Sequence, residues 1–156
     1  MGLFDFLKKD KQREPLDEFT KQMVEESLQF IDLFKERFIG LDFTVKSLTI
    51  VDTILEEVAD FQVEMDEMQR KTIIQKTASY IFEVARKNYG GRYYWYDQLT
   101  QPILVTGQPD FEISLLALEK VKGRLKNGKE DNIPYFFQGY VERVVNAKPG
   151  DKAMIV

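Results

Sequence analysis

The stretch Tyr80-Ile81-Phe82-Glu83-Val84-Ala85-Arg86-Lys87-Asn88-Tyr89-Gly90-Gly91-Arg92-Tyr93-Tyr94-Trp95-Tyr96 holds the densest set of groups able to do chemistry. Glu83 has Lys76, Arg86 and Lys87 within one or two helical turns. Lys87 stands four residues on, the stabilising orientation for a surface ion pair, and that is one reading of this carboxylate. The other reading sets Glu83 with a second acid such as Asp52, and with Arg92 and the nearby tyrosines, in a hydrolytic or small-molecule site, because two convergent carboxylates supply an acid and a base. Gly90-Gly91 is not a phosphate loop. It follows a helix C-terminus, whose dipole repels anions, and it reads as a tight helix-to-strand turn.

Tyr93, Tyr94, Trp95 and Tyr96 alternate across a strand, so Tyr93 and Trp95 share one face and Tyr94 and Tyr96 the other. One pair is expected to cover the core. The other is free to stack on a base, a sugar or a partner's side chain, or to meet a helix of the same chain. A second candidate is the strip Glu119 to Lys129, with five Lys/Arg against one acid. Lys122, Lys126 and Lys129 line up at helical spacing, and Arg124 lies among them. The strip suits an acidic partner or a phosphate, or is simply a solvated face.

The chain contains no His and no Cys. Ser-His-Asp and Cys-His nucleophiles, Cys/His zinc sites, disulfides and thiol redox chemistry are therefore excluded within it. No EF-hand pattern is present. No catalytic residue, cofactor or metal is assigned from the sequence. Net charge is −4 and the pI about 5.0. Residues 1–91 carry a net −5 and residues 92–156 a net +1. Such a balance disfavours a general nucleic-acid-coating role, which runs on phosphate neutralisation. No apolar run approaches the roughly 20 residues of a membrane span. The N-terminus lacks a secretory signal, and Phe6 stands where a myristoylation site needs Ser or Thr. Cytoplasmic residence follows as the expectation.

These groups need elements to hold them, and 156 residues suit one domain. Residues 1–14, with the apolar patch Leu3, Phe4, Phe6 and Leu7, read as a flexible or flap-like segment ahead of a single α+β domain at 15–156. Pro15 suits a helix start, and Leu16, Phe19, Met23, Phe30, Phe34 and Phe38 predict a helix over about 16–38 that ends at Gly40. Leu48, Val51, Ile54, Leu55 and Val58 predict a second over 45–60. Its acidic end, Glu56, Glu57 and Asp60, opposes the helix dipole, which points to a nearby basic partner or simply to tolerance of the conflict. A third should run over 65–88, with Ile73, Ile74, Thr77, Tyr80, Ile81, Val84 and Ala85 on its apolar face and Lys76, Ser79, Glu83 and Lys87 on its polar one. Arg92–Tyr96, Pro102–Thr106 and Phe111–Leu115 predict a small antiparallel meander over about 92–115. Two helices follow: one over 116–125, and one N-capped by Asp131 or Asn132 with Pro134 in its first turn. Pro149-Gly150 breaks the last helix, and Ala153–Val156 predicts a C-terminal edge strand.

The order Leu41-Asp42-Phe43-Thr44-Val45-Lys46-Ser47-Leu48, then Asp52, then Tyr80 to Tyr93, then Lys120-Val121-Lys122-Gly123-Arg124-Leu125-Lys126-Asn127-Gly128-Lys129-Glu130-Asp131 resembles a set of uncharacterised bacterial proteins. Their pattern has an LDxS…SL helix start, a GEV…GGxW helix end and a KVxKRLxNGxED-like helix. The resemblance covers about residues 38–145. Phe82 stands where a glycine is usual, and Tyr93 where Trp is usual. If that glycine opens a site beside the glutamate, Phe82 closes it. The resemblance implies a bacterial cytoplasmic protein and no particular activity.

Acidic first half, strand aromatics and missing catalytic chemistry together point to a non-catalytic protein-binding or interaction module of an immunity-like or regulatory kind. The alternatives are a small-molecule binder or carboxylate hydrolase around Glu83 and, more weakly, a single-stranded nucleic-acid binder using Tyr93–Tyr96 and the basic strip. The candidate binding residues are Glu83, Arg86, Arg92, Tyr93, Tyr94, Trp95, Tyr96, Lys122, Arg124 and Lys126.

Overall fold

A computed structural model describes residues 17–156. The expected flap at 1–14 and the helix start at Pro15 and Leu16 lie outside the described residues. The fold is α+β: three helices, a four-stranded sheet interrupted by two further helices, and a C-terminal strand that completes the sheet. The order is α1 (Glu18–Phe34), α2 (Leu48–Phe61), α3 (Glu67–Tyr89), β1 (Arg92–Tyr96), β2 (Gln101–Thr106), β3 (Glu112–Leu115), α4 (Ala117–Asn127), α5 (Ile133–Val145) and β4 (Lys152–Ile155).

Local chemistry explains the boundaries. The Asp17 carboxylate accepts from the Thr20 backbone N–H at 2.7 Å and opens α1. Met23, Ser27 and Phe30 then bury one face. The helix stops at Phe34, four residues short of the expectation, in a turn closed by Phe38 N–H donating to the Phe34 carbonyl. Phe38 still packs on the core from that turn. A capping box, Asp66 with Gln69, opens α3. Gly90 closes it at φ 79°. Gly91 follows at φ 134°, where a Cβ would sit 2.9 Å from Thr106 Oγ1 and the Val105 carbonyl. Asn132 is the residue that caps α5, with Pro134 in the first turn.

Strands β1, β2 and β3 form the expected antiparallel meander, and β4 adds parallel to β3 at the sheet edge. The inner face, carrying Tyr93, Leu104, Ile113 and Leu115, packs on the helices. Helix α3 is the axle of the molecule, with α1 and α4 packed along it. From Thr77 to Ala85 every residue is buried. This corrects the polar face expected for α3: Ser79 and Glu83 are buried, because neighbouring elements cover the helix on nearly every side at that level. Two of the three acids ending α2 find basic partners within the chain, Glu56 with Lys129 at 3.5 Å and Glu57 with Arg37 at 2.8 Å. No helix among the described residues is long and apolar enough to cross a membrane.

Candidate functional site

Glu83 has no solvent exposure. One turn on, Arg86 binds it in bidentate fashion, Nε donating to Oε2 at 2.7 Å and a terminal N–H to Oε1 at 2.8 Å. From β1, the Tyr93 hydroxyl donates to Oε2 at 2.7 Å. The hydrogen bond to Glu83 holds the Arg86 guanidinium further above its ordinary value. Burial, with the neighbouring Glu83 charge, pushes the Tyr93 phenol well up. The carboxylate therefore lies inside a fork of donors, and both oxygens are in use. The expected surface pair with Lys87 is not formed. Lys87 lies over the Phe43 ring instead, its Nζ 4.9 Å from the centroid.

Asp52 does not join Glu83. It accepts from Arg124 Nε at 2.9 Å and from a terminal Arg124 N–H at 3.2 Å, and it takes the Ile133 backbone N–H at 2.9 Å, which ties α2 to α4 and the start of α5. The two-carboxylate site expected from the sequence is thus split into two separate ion pairs, each with one buried and one partly exposed member. Among the described residues no group of three or more Asp or Glu side chains is arranged to hold a metal ion.

The basic strip is largely neutralised by acids from elsewhere in the sequence. Lys120 donates to Asp131 at 2.7 Å, Lys129 lies 3.5 Å from Glu56, and Arg124 is buried on Asp52. Lys122 remains half-exposed, with only a long 3.8 Å contact to Glu119. Lys126 is exposed, as is Arg92 at the first position of β1.

The four strand aromatics separate differently from the expected pairs. Tyr93 is buried, stacked on Phe19 and edge-on to Phe82. Trp95 shares its face but lies beyond the edge of the core, 52% exposed, tilted against Phe19. On the opposite face Tyr96 packs on Ile103, Val105 and Leu116, while Tyr94 is exposed and donates to Gln108 Oε1 at 2.9 Å. The open ring nearest the helices is thus Trp95 alone.

Trp95 stands at the end of a groove of about 900 Å³. Its floor is one stripe of α3: Ile74, Ala78 and Phe82, continuing to Arg70, Lys71 and Glu67. One wall is α1, with Phe19, Met23 and Glu26. The other is α4, with Leu118 and Lys122, joined by Pro102 of β2. From Glu67 to Phe82 the stripe is roughly 22 Å long at helical rise. The surface is apolar at the Trp95 end. It carries both signs of charge toward the other: Glu26 is held by Ser79 Oγ at 3.2 Å, and Arg70 donates to the Gln62 and Met65 carbonyls. A smaller cleft of about 510 Å³ between α5 and the β3–β4 edge is mostly polar.

Of the candidate residues, Glu83, Arg86 and Tyr93 come together, Trp95 and Lys122 line the groove, and Arg124 joins Asp52; Arg92, Tyr94, Tyr96 and Lys126 lie apart from the groove lining. The groove itself was missed. Its available signal was that α3 carries apolar residues on more than one face, with Ile74, Ala78 and Phe82 at a spacing of four beside Ile73, Thr77 and Ile81, so that α1 and α4 must both pack against it and leave a seam between them. No protein-family model matches the chain, and neither a curated protein nor a solved structure does so.

Proposed function

We propose that this protein is a non-catalytic interaction module, of an immunity-like or regulatory kind, whose contact surface is the groove along α3. One observation carries the reading: an open trough of about 900 Å³ along which Phe19, Ile74 and Leu118 are partly exposed, with an exposed tryptophan at one end and a rim of both charge signs. An apolar centre ringed by charged groups is the anatomy of a protein-contact patch, and Trp is the residue most enriched where binding energy concentrates. The engagement of the two carboxylates weighs against the hydrolase reading. A general base needs a lone pair facing substrate, whereas both oxygens of Glu83 and of Asp52 accept hydrogen bonds from the protein's own donors. The pairing of the basic strip weighs in the same way against single-stranded nucleic acid.

A second reading, a small-molecule binder using the same groove, draws on its volume, which lies in the range of ligand sites. The bacterial, cytoplasmic setting is part of the proposal and rests on the sequence resemblance.

The test is capture from a bacterial host extract by the immobilised full chain, with Trp95→Ala beside it, at low and high salt. The proposal expects a protein retained by the wild-type chain and lost about thirtyfold by the variant, as for truncation of a central hot spot. Capture that is absent at both salt concentrations, or equal for the two chains, contradicts it.

A further inference from the structure

We propose that the free edge of β1 is the interface for a second copy of this chain, the two β1 strands pairing antiparallel about a two-fold axis at Tyr94. The inference goes beyond the groove and does not rest on it.

The register defines the edge. Strand β1 lies at one border of the sheet and pairs only with β2, with Trp95 opposite Pro102. Proline has no N–H, so this position cannot exchange both bonds of a hydrogen-bonded pair. Bonded and non-bonded pairs alternate along an antiparallel ladder. Arg92, Tyr94 and Tyr96 therefore bond to β2, and the N–H and C=O groups of Tyr93 and Trp95 point out of the sheet edge. Among the described residues these outward groups find no other backbone partner. Arg92, Tyr94 and Trp95 are exposed along the edge, while Tyr93 is buried through its side chain, which reaches inward to Glu83. The two borders of the sheet differ. Strand β4 carries Lys152, and a lysine on an edge strand guards against pairing. Strand β1 has no Lys, no Pro and no bulge, and apart from Arg92 it is built from aromatic residues that favour strands.

A second β1 answers this edge residue for residue. The antiparallel register that engages the whole strand sets Tyr94 opposite Tyr94 of the second copy, Tyr93 opposite its Trp95 and Arg92 opposite its Tyr96. Tyr93 and Trp95 then exchange N–H···O bonds in both directions, through the groups that β2 leaves free. The remaining pairs meet on the outer face of the sheet. Tyr94 lies against Tyr94, and each Arg92 lies beside a Tyr96, which suits a cation–π contact and opposes no like charges. The axis stands perpendicular to the sheet, so the helices of both copies stay on one side. Trp95 and its copy become diagonal neighbours about 7–8 Å apart, and the Trp95 ends of the two grooves meet at the axis.

The test is sedimentation equilibrium of the full chain from about 5 μM to about 500 μM, the range in which small interfaces associate. The wild type is expected to pass from monomer to dimer. Tyr94→Lys and Tyr94→Glu, each shown to be folded by circular dichroism, set like charges opposite one another on the axis and should weaken association about tenfold or more. An equimolar mixture of the two variants should dimerise again. A cysteine comparison reads the same axis independently, because the chain has no Cys of its own. Tyr94→Cys places two thiols across the axis at a Cα separation of about 4.5 Å, within disulfide reach, and should cross-link under mild oxidation far faster than the exposed control Tyr135→Cys. A wild type that stays monomeric throughout overturns the proposal, whether the edge is open or is taken by residues 1–16. So does a dimer that neither charged variant weakens, or one that the mixture fails to restore. Where a charged variant fails to fold, the cysteine comparison decides, and cross-linking of Tyr94→Cys no faster than that of Tyr135→Cys counts as refutation.

Discussion

Phe82 and Glu83 are neighbours in sequence and lie about 100° apart around α3. Between them they divide the molecule's two most distinctive regions. Glu83 points into a dry polar node in which Arg86 and Tyr93 use both of its oxygens. Phe82, itself buried, lies beneath an open groove in which Ile74, Leu118, Trp95 and the loosely paired Lys122 reach solvent. The node satisfies its own chemistry and has none left to offer a substrate; the groove leaves its chemistry unfinished. A residue type able to do catalysis is therefore a poor guide here, and the state of its lone pairs is a better one. The same contrast holds for Arg124, fully engaged by Asp52, and Lys122, two residues earlier and half-exposed.

The largest expected effect is on the node. Glu83→Ala leaves the buried Tyr93 hydroxyl and the partly exposed Arg86 guanidinium without their acceptor, and removing one partner of such a pair costs up to about 3–5 kcal/mol. Urea unfolding should show the midpoint fall steeply. A loss under about 1 kcal/mol would mean that the node is not structural, and would reopen it as a site. Asp52→Ala, which removes the Arg124 pair and the Ile133 N–H acceptor together, is expected to cost about 3 kcal/mol by the same measurement.

A smaller effect comes from alkali. Burial raises the phenols of Tyr93 and Tyr140 in the folded chain, Tyr140 to about 12, while the unfolded value stays near 10. Above pH 10 the unfolded chain therefore gives up these protons first and binds fewer than the native one, so stability falls as pH rises. For Tyr140 the fall should approach about 1.4 kcal/mol per pH unit between pH 10 and 12. Tyr140→Phe should remove that share of the slope and leave the part due to Tyr93 when unfolding is followed by circular dichroism across this range. The smallest effect belongs to the groove: Lys122→Glu, on an exposed rim, should leave stability within about 0.5 kcal/mol of wild type in the same urea unfolding.

Much of the fold is written in local patterns. The spacing of Leu48, Val51, Ile54, Leu55 and Val58 marks α2, Gly90-Gly91 marks the helix-to-strand turn, and three short runs mark the meander, because each is set by periodicity and turn chemistry within a few residues. The site is less legible because it depends on which distant charges meet. Nothing near residue 83 says that Arg86, three residues on, will outcompete Lys87 at the favoured fourth position. The planar fork of Arg86 reaches both oxygens once α3 is enclosed, while Lys87 finds the Phe43 ring. Nor does the strip at 119–129 reveal that Glu56, Asp52 and Asp131 will neutralise it. Trp95 is readable as a sheet residue, but its exposure depends on where the core ends beneath α1.

The contrast between node and groove is tested most directly by capturing the partner from host extract on three immobilised chains: wild type, Trp95→Ala and Glu83→Gln, each first shown to be folded by circular dichroism. Glu83→Gln is expected to retain the partner as wild type does while Trp95→Ala loses it about thirtyfold. Loss of capture with folded Glu83→Gln and its retention with Trp95→Ala would place the working surface at the carboxylate and contradict the account.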